Sequence, residues 1–487
     1  MRKKFLTNLM LLLFLNLLVK PFWILGIDRT VQNVVGAADY GFYFVVFNFS
    51  FLFNILLDFG ITNFNNRNIA QHNQLLNKHF SSIVILKLLM AALYTVVTFS
   101  AGLIIGFNGQ QLQLLAVLCF NQFLLSFILY LRSNISGLLL FKTDSFLSVL
   151  DRVLMILICS VLLWGHLSST PFQIEWFVYA QTAAYLLTAL TALLIVIKKA
   201  SFRRLNWNFP FFVMIIKQSF PFAILVLLMT FYNRLDPVMI ERLLPKNLGE
   251  QQAGIYASAF RLLDAANMIA YLFSVLLLPI FSRLLKQKET VVHIVRLSFT
   301  LLIIISVIVS FGSSFYSREL MGLLYRDHVE ESASVFSLLM LGYIAISTTY
   351  VFGTLLTANG SLTMLNVVAG GGMLLNFVLN LVLVPKLLAV GSAWASVMTQ
   401  FATALVQVLL AQHIFRFKPD YKYLVNLSVF VAGVFVLNWL SKSMTEQWMI
   451  NFVIMCAGSL ALAALLKLLN IKAFVQILMN REKQQTE

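Results

Sequence analysis

Four short arrays of polar residues in an otherwise apolar chain set the chemical question. Asn54, Asp58, Thr62 and Asn65 recur at i, i+4, i+8 and i+11, and Gln122, Ser126, Tyr130 and Ser133 follow a similar period with Arg132 beside them. Asp144, Ser148 and Asp151 share a face next to Arg152, and Arg261, Asp264, Asn267 and Tyr271 make a fourth stripe. Spacings of three and four residues put each set on one side of a helix. Carboxylates and guanidinium groups in oily surroundings can bind ions, relay protons or grip an anionic head group, and each is costly enough to need a reason. The competing reading is structural: Asp151 with Arg152, or Arg261 with Asp264, tie helices together, while Lys20, Lys87 and Lys217 snorkel to an interface.

Other chemistries find little footing. The chain has no P-loop, HExxH, CxxC or Gly-rich dinucleotide turn, so it is not expected to hydrolyse ATP or to act as an enzyme. Its six histidines are scattered at loops and helix ends, and Cys119, Cys159 and Cys456 stand at unrelated spacings inside apolar runs, giving neither a disulfide frame nor a metal site. No cofactor is expected. A gradient of H+ or Na+, or the membrane potential, is what such a chain could draw on, with Asp58, Asp151 and Asp264 as the carboxylates an ion could use.

The elements that must position these groups follow from composition. The 487 residues are 60% hydrophobic and only 11% charged. A bilayer core needs about 20 apolar residues per helix, and the sequence supplies such runs at 5–27, 41–63, 80–106, 112–140, 144–165, 171–197, 211–234, 252–281, 292–314, 332–357, 362–385, 389–415, 422–440 and 447–469. They are too long and too uniformly apolar for barrel strands. The expected fold is therefore an all-α polytopic membrane protein of about 14 transmembrane helices. The opening run outlasts a signal peptide and no small-residue cleavage site follows it, so it is read as a retained first helix.

A net charge of +16 could suggest nucleic acid. Its placement does not: with the N-terminus inside, about 21 Lys and Arg collect on the cytoplasmic side against about eight in outer loops. That bias puts both termini in the cytoplasm and excludes a nucleic-acid partner. The stretch KKASFRRLNWNFPFFVMIIKQSFP reads as a helix lying along the inner leaflet, and YSRELMGLLYRDHVEE as a short interfacial helix too small for a catalytic domain.

One sentence of the sequence is written twice. GIDRTVQNVVGAADYGFYFVVFNFS is echoed by YNRLDPVMIERLLPKNLGEQQAGIYASAFRLLD, with Gly41 falling on Gly254 and Tyr43 on Tyr256. The two copies lie six spans apart, and an even number keeps the orientation, so two six-helix bundles related by a pseudo-two-fold along the membrane normal are expected, plus two further helices. The domains are then 1–200, 201–420 with the preceding cytoplasmic linker, and 421–487. Two similar halves around a wet chamber are what alternating access requires.

The stretch from VVGAADYGF to NRNIAQ, the junction YNRLDPVMIERLL and the GIYASAFRLLD run resemble the oligosaccharide-lipid flippases of bacterial polysaccharide and O-antigen (lipopolysaccharide) biosynthesis, in the multidrug/oligosaccharidyl-lipid/polysaccharide exporter (MOP) superfamily. The resemblance implies a MATE-like fold in the bacterial inner membrane and an undecaprenyl-diphosphate-linked oligosaccharide as cargo. It also implies a glycan polymerase or other export machinery as partner. Cations for the diphosphate would be Arg29, Arg67, Arg234 and Arg261, with Arg67 at the cytoplasmic rim. Asp28, Asn54, Asp58, Asp151, Arg152, Asp236, Asp264 and Asn267 are the polar and coupling candidates of the chamber wall. The alternatives are a multidrug or cation antiporter, which would want an acidic chamber, a lipid II flippase, and a membrane-embedded glycan polymerase, which would want a large outer loop.

Overall fold

The computed structural model describes the chain except residues 1–14, 17, 20, 63, 64, 66–68, 70–73, 139, 166–170, 200–206, 208, 419 and 470–487. Every regular element among the described residues is helical. A π-helical turn, Trp23–Asp28, leads into α1 (Arg29–Leu52), and a 3-10 turn, Asn54–Leu57, follows. Then come α2 (Leu75–Ile104), α3 (Gly109–Gly137), α4 (Phe141–Trp164), α5 (Ile174–Ile197), α6 (Phe209–Arg234), α7 (Asp236–Leu243) and α8 (Lys246–Lys286). The chain ends with α9 (Val292–Phe315), α10 (Ser317–Leu324), α11 (Val329–Ala358), α12 (Leu362–Phe415), α13 (Tyr421–Ser441) and α14 (Trp448–Leu465).

In hydrocarbon every backbone N–H and C=O must bond within its own helix, which is why these apolar runs are helices. Polar residues begin some of them. Asn108 accepts the Gln111 backbone N–H at 2.8 Å while the Gln111 side chain accepts the Asn108 N–H, a reciprocal cap for α3. Asp420 caps α13 through the Tyr423 N–H, and Asp236-Pro237 opens α7 after a bend of 49° from α6.

Among the described residues eleven helices are long and apolar enough to cross a bilayer, or twelve if the bent pair α6–α7 counts as one span. Two of them turn back on themselves. In α1 the break is Gly36, at φ 85°, and in α12 it is Leu388, at φ 56°. Along a straight α-helix, twelve residues cover about 18 Å. Yet the Tyr40 hydroxyl donates to Asp28 and the Ser392 hydroxyl to Asn380 Oδ1, each across twelve positions. Dividing these two helices at their breaks, and counting α6–α7 as one span, gives fourteen helical segments among the described residues, although more than half of the expected first span, 5–27, lies outside them. The first junction is tighter than expected: residues 28–40, read as a loop with a charged pair at a helix end, are helical on both sides of Gly36.

The second expected span, 41–63, is also corrected. The α-helix stops at Leu52, the backbone leaves helical geometry at Phe53, and Phe59 and Gly60 both take positive φ. Asn54, Asp58, Thr62 and Asn65 therefore do not form one continuous helical face.

The chain packs as two compact units, 1–257 and 258–487, that meet inside α8. In the first, Ile61, Phe80, Ile83, Tyr130, Leu131, Leu147, Ala192, Phe212 and Ile215 form a core drawn from α2 to α6 and the segment after α1. In the second, α13 and α14 press Phe430, Val434, Met455 and Ala463 onto Ile303, Ile304 and Val307 of α9. The packing units and the proposed repeat divide the chain differently, because α6, α7 and the first turns of α8 pack with the first unit. The stretch expected to form a short interfacial helix is helical over Ser317–Leu324, α10, whereas most of the basic linker before α6 lies outside the described residues.

Candidate functional site

The polar stripes of the first unit find one another. Asn54 Nδ2 donates to Gln122 Oε1 at 2.9 Å, and Asn65 Nδ2 donates to Ser133 Oγ at 2.8 Å and Asn134 Oδ1 at 3.0 Å. Between them lies Lys87 of α2, only 1% exposed and ion-paired with Asp58. Its ammonium also donates to the Leu57 carbonyl at 2.9 Å and to Ser126 Oγ at 3.0 Å, and Ser126 donates to the same carbonyl. The break explains the arrangement: Ile61 N–H bonds to Asp58 O, so the Leu57 carbonyl is left without its helical partner. A buried ammonium and a hydroxyl take it up. Lys87 thus does not snorkel. Its place near the middle of α2, far from either end, was the signal that could have shown this.

On α4 the fifth-span stripe is likewise paired. Arg132 Nε meets Asp144 Oδ1 at 2.8 Å, and Asn16 donates to Ser148 at 3.0 Å. Arg152 lies 3.7 Å from Asp151, its guanidinium sits 5.8 Å from the ring centres of Trp23 and Tyr185, and it donates to the Tyr185 hydroxyl at 3.2 Å. Lys217 is exposed, whereas Lys20 and the cavity-cation candidate Arg67 lie outside the described residues.

The repeated motif has a matching chemistry in its two copies. Asp28 is 2% exposed and accepts the Tyr40 hydroxyl at 2.9 Å, and Asp236 is fully buried and accepts the Tyr256 hydroxyl at 2.7 Å. The glycines of the two copies meet: Gln32 Nε2 donates to the Gly254 carbonyl at 2.9 Å, and a Cβ on Gly41 would fall 1.8 Å from the Glu250 carbonyl oxygen. Only glycine permits so close a crossing of α1 and α8. The sequence showed these residues as a repeat but not as mutual partners.

Two of the proposed cations stand near this crossing in sequence. Arg29 opens α1 directly after the π turn, half-buried, with a buried Nε that has no hydrogen-bond partner. Arg234 ends α6, half-buried, with its guanidinium 5.4 Å from the centre of the Phe51 ring. Arg261, Asp264 and Asn267 belong to the second unit, all half-buried on α8, and the Asn267 Oδ1 is buried without a hydrogen-bond partner.

On the α1, α3, α5 and α8 ends of the first unit lies an open cavity of about 830 Å³. Sequence reasoning did not find it, because its lining comes from four separate connections. Outside it, Glu241 pairs with Arg242 at 2.7 Å and accepts from Gln111 Nε2 at 3.0 Å, locking α7 to the start of α3.

The family described as "Polysaccharide biosynthesis protein" matches residues 6–285. The chain belongs to this family. No curated protein matches it closely enough in sequence to be informative. Among solved structures, this polysaccharide biosynthesis protein is similar to the lipid II flippase MurJ in an inward closed conformation, at TM-score 0.67 and 12% identity over 92% of this chain and 97% of that one. It is also similar to an inward-facing MATE family multidrug resistance transporter, at TM-score 0.61 and 12% identity over 82% and 94%. A transporter from Pyrococcus furiosus Vc1 follows at TM-score 0.54 and 13% identity, over 84% and 95%. The fold is that of the MOP superfamily, and the protein is a multi-pass membrane protein.

Proposed function

We propose that the chain is a flippase that moves an undecaprenyl-diphosphate-linked oligosaccharide from the cytoplasmic to the outer leaflet of a bacterial inner membrane, by alternating access, for surface polysaccharide assembly. The observation that supports this best is the family match over residues 6–285, joined to a fold shared with a flippase of another lipid-linked sugar. Both termini are cytoplasmic in this proposal. Arg29, Arg67, Arg234 and Arg261 hold the diphosphate, and the unpartnered Arg29 Nε is the kind of donor such a group would satisfy. With the inside negative, moving the diphosphate outward is favoured by about 2.3 kcal/mol per charge per 100 mV. Asp58, Asp151 and Asp264 are the carboxylates proposed for any H+ or Na+ coupling. A glycan polymerase is the proposed neighbour in the membrane.

The deciding experiment is deletion of the gene with analysis of lipid-linked intermediates. Accumulation of one glycan on the cytoplasmic leaflet identifies the cargo. The fold similarity to MurJ makes lipid II the second reading, in which depletion arrests peptidoglycan rather than surface glycan. Drug sensitivity with both glycans intact would turn the proposal toward the multidrug exporters.

A further inference from the structure

The oxygens gathered around Lys87 form a site that a free cation would also fit. Its ammonium, 1% exposed near the middle of α2, donates to the Leu57 carbonyl at 2.9 Å, to Ser126 Oγ at 3.0 Å and to the Asp58 carboxylate. Ser126 gives its own proton to the Leu57 carbonyl at 3.1 Å, so its oxygen turns a lone pair to the nitrogen. Thr62 gives its hydroxyl proton and its backbone N–H to Asp58. The bonding thus assigns the charges: a lysine nitrogen that donates three times is an ammonium, and an aspartate that only accepts is a carboxylate. No other charged side chain among the described residues bonds to either group. Asn54 with Gln122 and Asn65 with Ser133 flank the pair, and Tyr130, one turn from Ser126 on α3, gives its hydroxyl to the Phe80 carbonyl at 3.2 Å.

A backbone carbonyl freed by a helix break, a hydroxyl and a carboxylate are also what an alkali cation takes in place of its water. At this depth an uncompensated carboxylate is costly, so the set calls for a positive charge. Here the charge is covalently attached, and all three of its N–H bonds are in use. Asp58 nonetheless keeps 26% of its side chain open. A proton can add to it there, whereas a metal ion arriving by the same route finds the coordinating oxygens occupied.

We infer that Lys87 is a tethered counter-ion that fixes the ion specificity of Asp58: it shuts Na+ and K+ out of this position and leaves H+ as the ion the carboxylate can take up. Uptake places the proton on an Asp58 oxygen and dissolves the ion pair, while the ammonium keeps the Leu57 carbonyl and Ser126. The use made of that proton rests on the flippase reading, in which Asp58 is one of the carboxylates proposed for coupling. The site itself does not. The plain alternative is a tie between the break and α2 with no bearing on ions.

The test is the thermal midpoint of the purified full-length protein in detergent, measured in NaCl, KCl and choline chloride at equal ionic strength. Lys87→Ala removes the tethered cation and leaves its oxygens. The midpoint of this variant should rise saturably with Na+ or K+, by roughly 2 °C or more over the choline series, beyond any response of the wild type. Lys87→Ala with Asp58→Asn should lose that added response. Lys87→Gln, which keeps a donor for the Leu57 carbonyl, takes the place of Lys87→Ala in the same series should the alanine variant not fold. A purely structural pair predicts variants weakened alike in all three salts, and that result would overturn the tethered counter-ion. So would a wild-type response to Na+ or K+ that Asp58→Asn abolishes. Its failure and that of the flippase are separable. Equal midpoints in all salts remove the counter-ion and leave the flippase, whereas surface glycan unchanged on gene deletion, with the salt response present, removes the flippase alone.

Discussion

Gly41 and Gly254 lie so close that neither tolerates a side chain: a Cβ on Gly41 would meet the Glu250 carbonyl oxygen at 1.8 Å, and one on Gly254 the Ala37 carbonyl oxygen at 1.9 Å. Both obstacles are backbone, which cannot swing aside. Gly41→Ala and Gly254→Ala should therefore force the two helices apart and lower the thermal midpoint in detergent or the amount of protein in the membrane. Gly371→Ala is the control, because nothing lies within 4 Å of its Cβ position. It should be neutral or stabilising by up to about 1 kcal/mol. Equal behaviour of all three variants would remove the close crossing.

The Lys87–Asp58 pair is expected to behave as a coupled unit. Removing one member leaves a buried charge uncompensated, a loss of about 3–5 kcal/mol, whereas replacing both with apolar residues costs less. Asp58→Leu, which strands an ammonium only 1% exposed, should be the more damaging single change, and Lys87→Met with Asp58→Leu should recover part of the loss. A double-mutant cycle on unfolding in detergent measures this, and strict additivity would contradict the geometry.

Tyr40→Phe and Tyr256→Phe each take one hydroxyl donor from a buried carboxylate, Asp28 or Asp236. Each should cost about 1.5–3 kcal/mol, as hydrogen bonds to charged groups do. Similar losses in the two variants, read from denaturation midpoints, would show that the two copies of the motif do equivalent work.

Asp420 stands outside the spans, and its carboxyl is held below the usual carboxylate range, first by the Tyr423 backbone N–H and then by Arg296 at 2.7 Å. A carboxyl depressed in the folded state contributes stability above its unfolded pKa and loses it as pH falls through the folded value. Protection from hydrogen exchange at the start of α13, corrected for the intrinsic exchange rate at each pH, should fall as the medium is acidified below the ordinary carboxylate range. In Asp420→Asn the same amides should lose most of that pH dependence.

Much of the architecture was legible because the bilayer imposes it. Runs of apolar residues had to be helices; α3, α4, α5, α9, α11, α13 and α14 lie within a few residues of their expected limits. The tight junctions were harder. Gly36 and Leu388 reverse the chain inside apolar sequence, where hydropathy has no contrast to offer. The break after Leu52 was hidden for a different reason, since Asn54, Asp58, Thr62 and Asn65 keep a helical period that the backbone does not. Asn54 and Asn65 meet partners on α3 and Asp58 meets Lys87 of α2, without a continuous helix between them. Lys87 was misread because a lone lysine in an oily run is usually near an end. Of the proposed cations, Arg29 and Arg234 belong to the first unit and Arg261 to the second.

The interruption in the second span has a mechanical consequence. An intact α-helix that flexes at mid-depth must sacrifice hydrogen bonds it already holds, and lipid offers nothing in exchange. Here that sacrifice is already made, and the Leu57 carbonyl leans on an ammonium at the tip of a long flexible stem from a neighbouring helix. The joint is lubricated in advance, so the helix that ends at Leu52 can pivot against the segment after Asp58 while the polar atoms at the break stay satisfied.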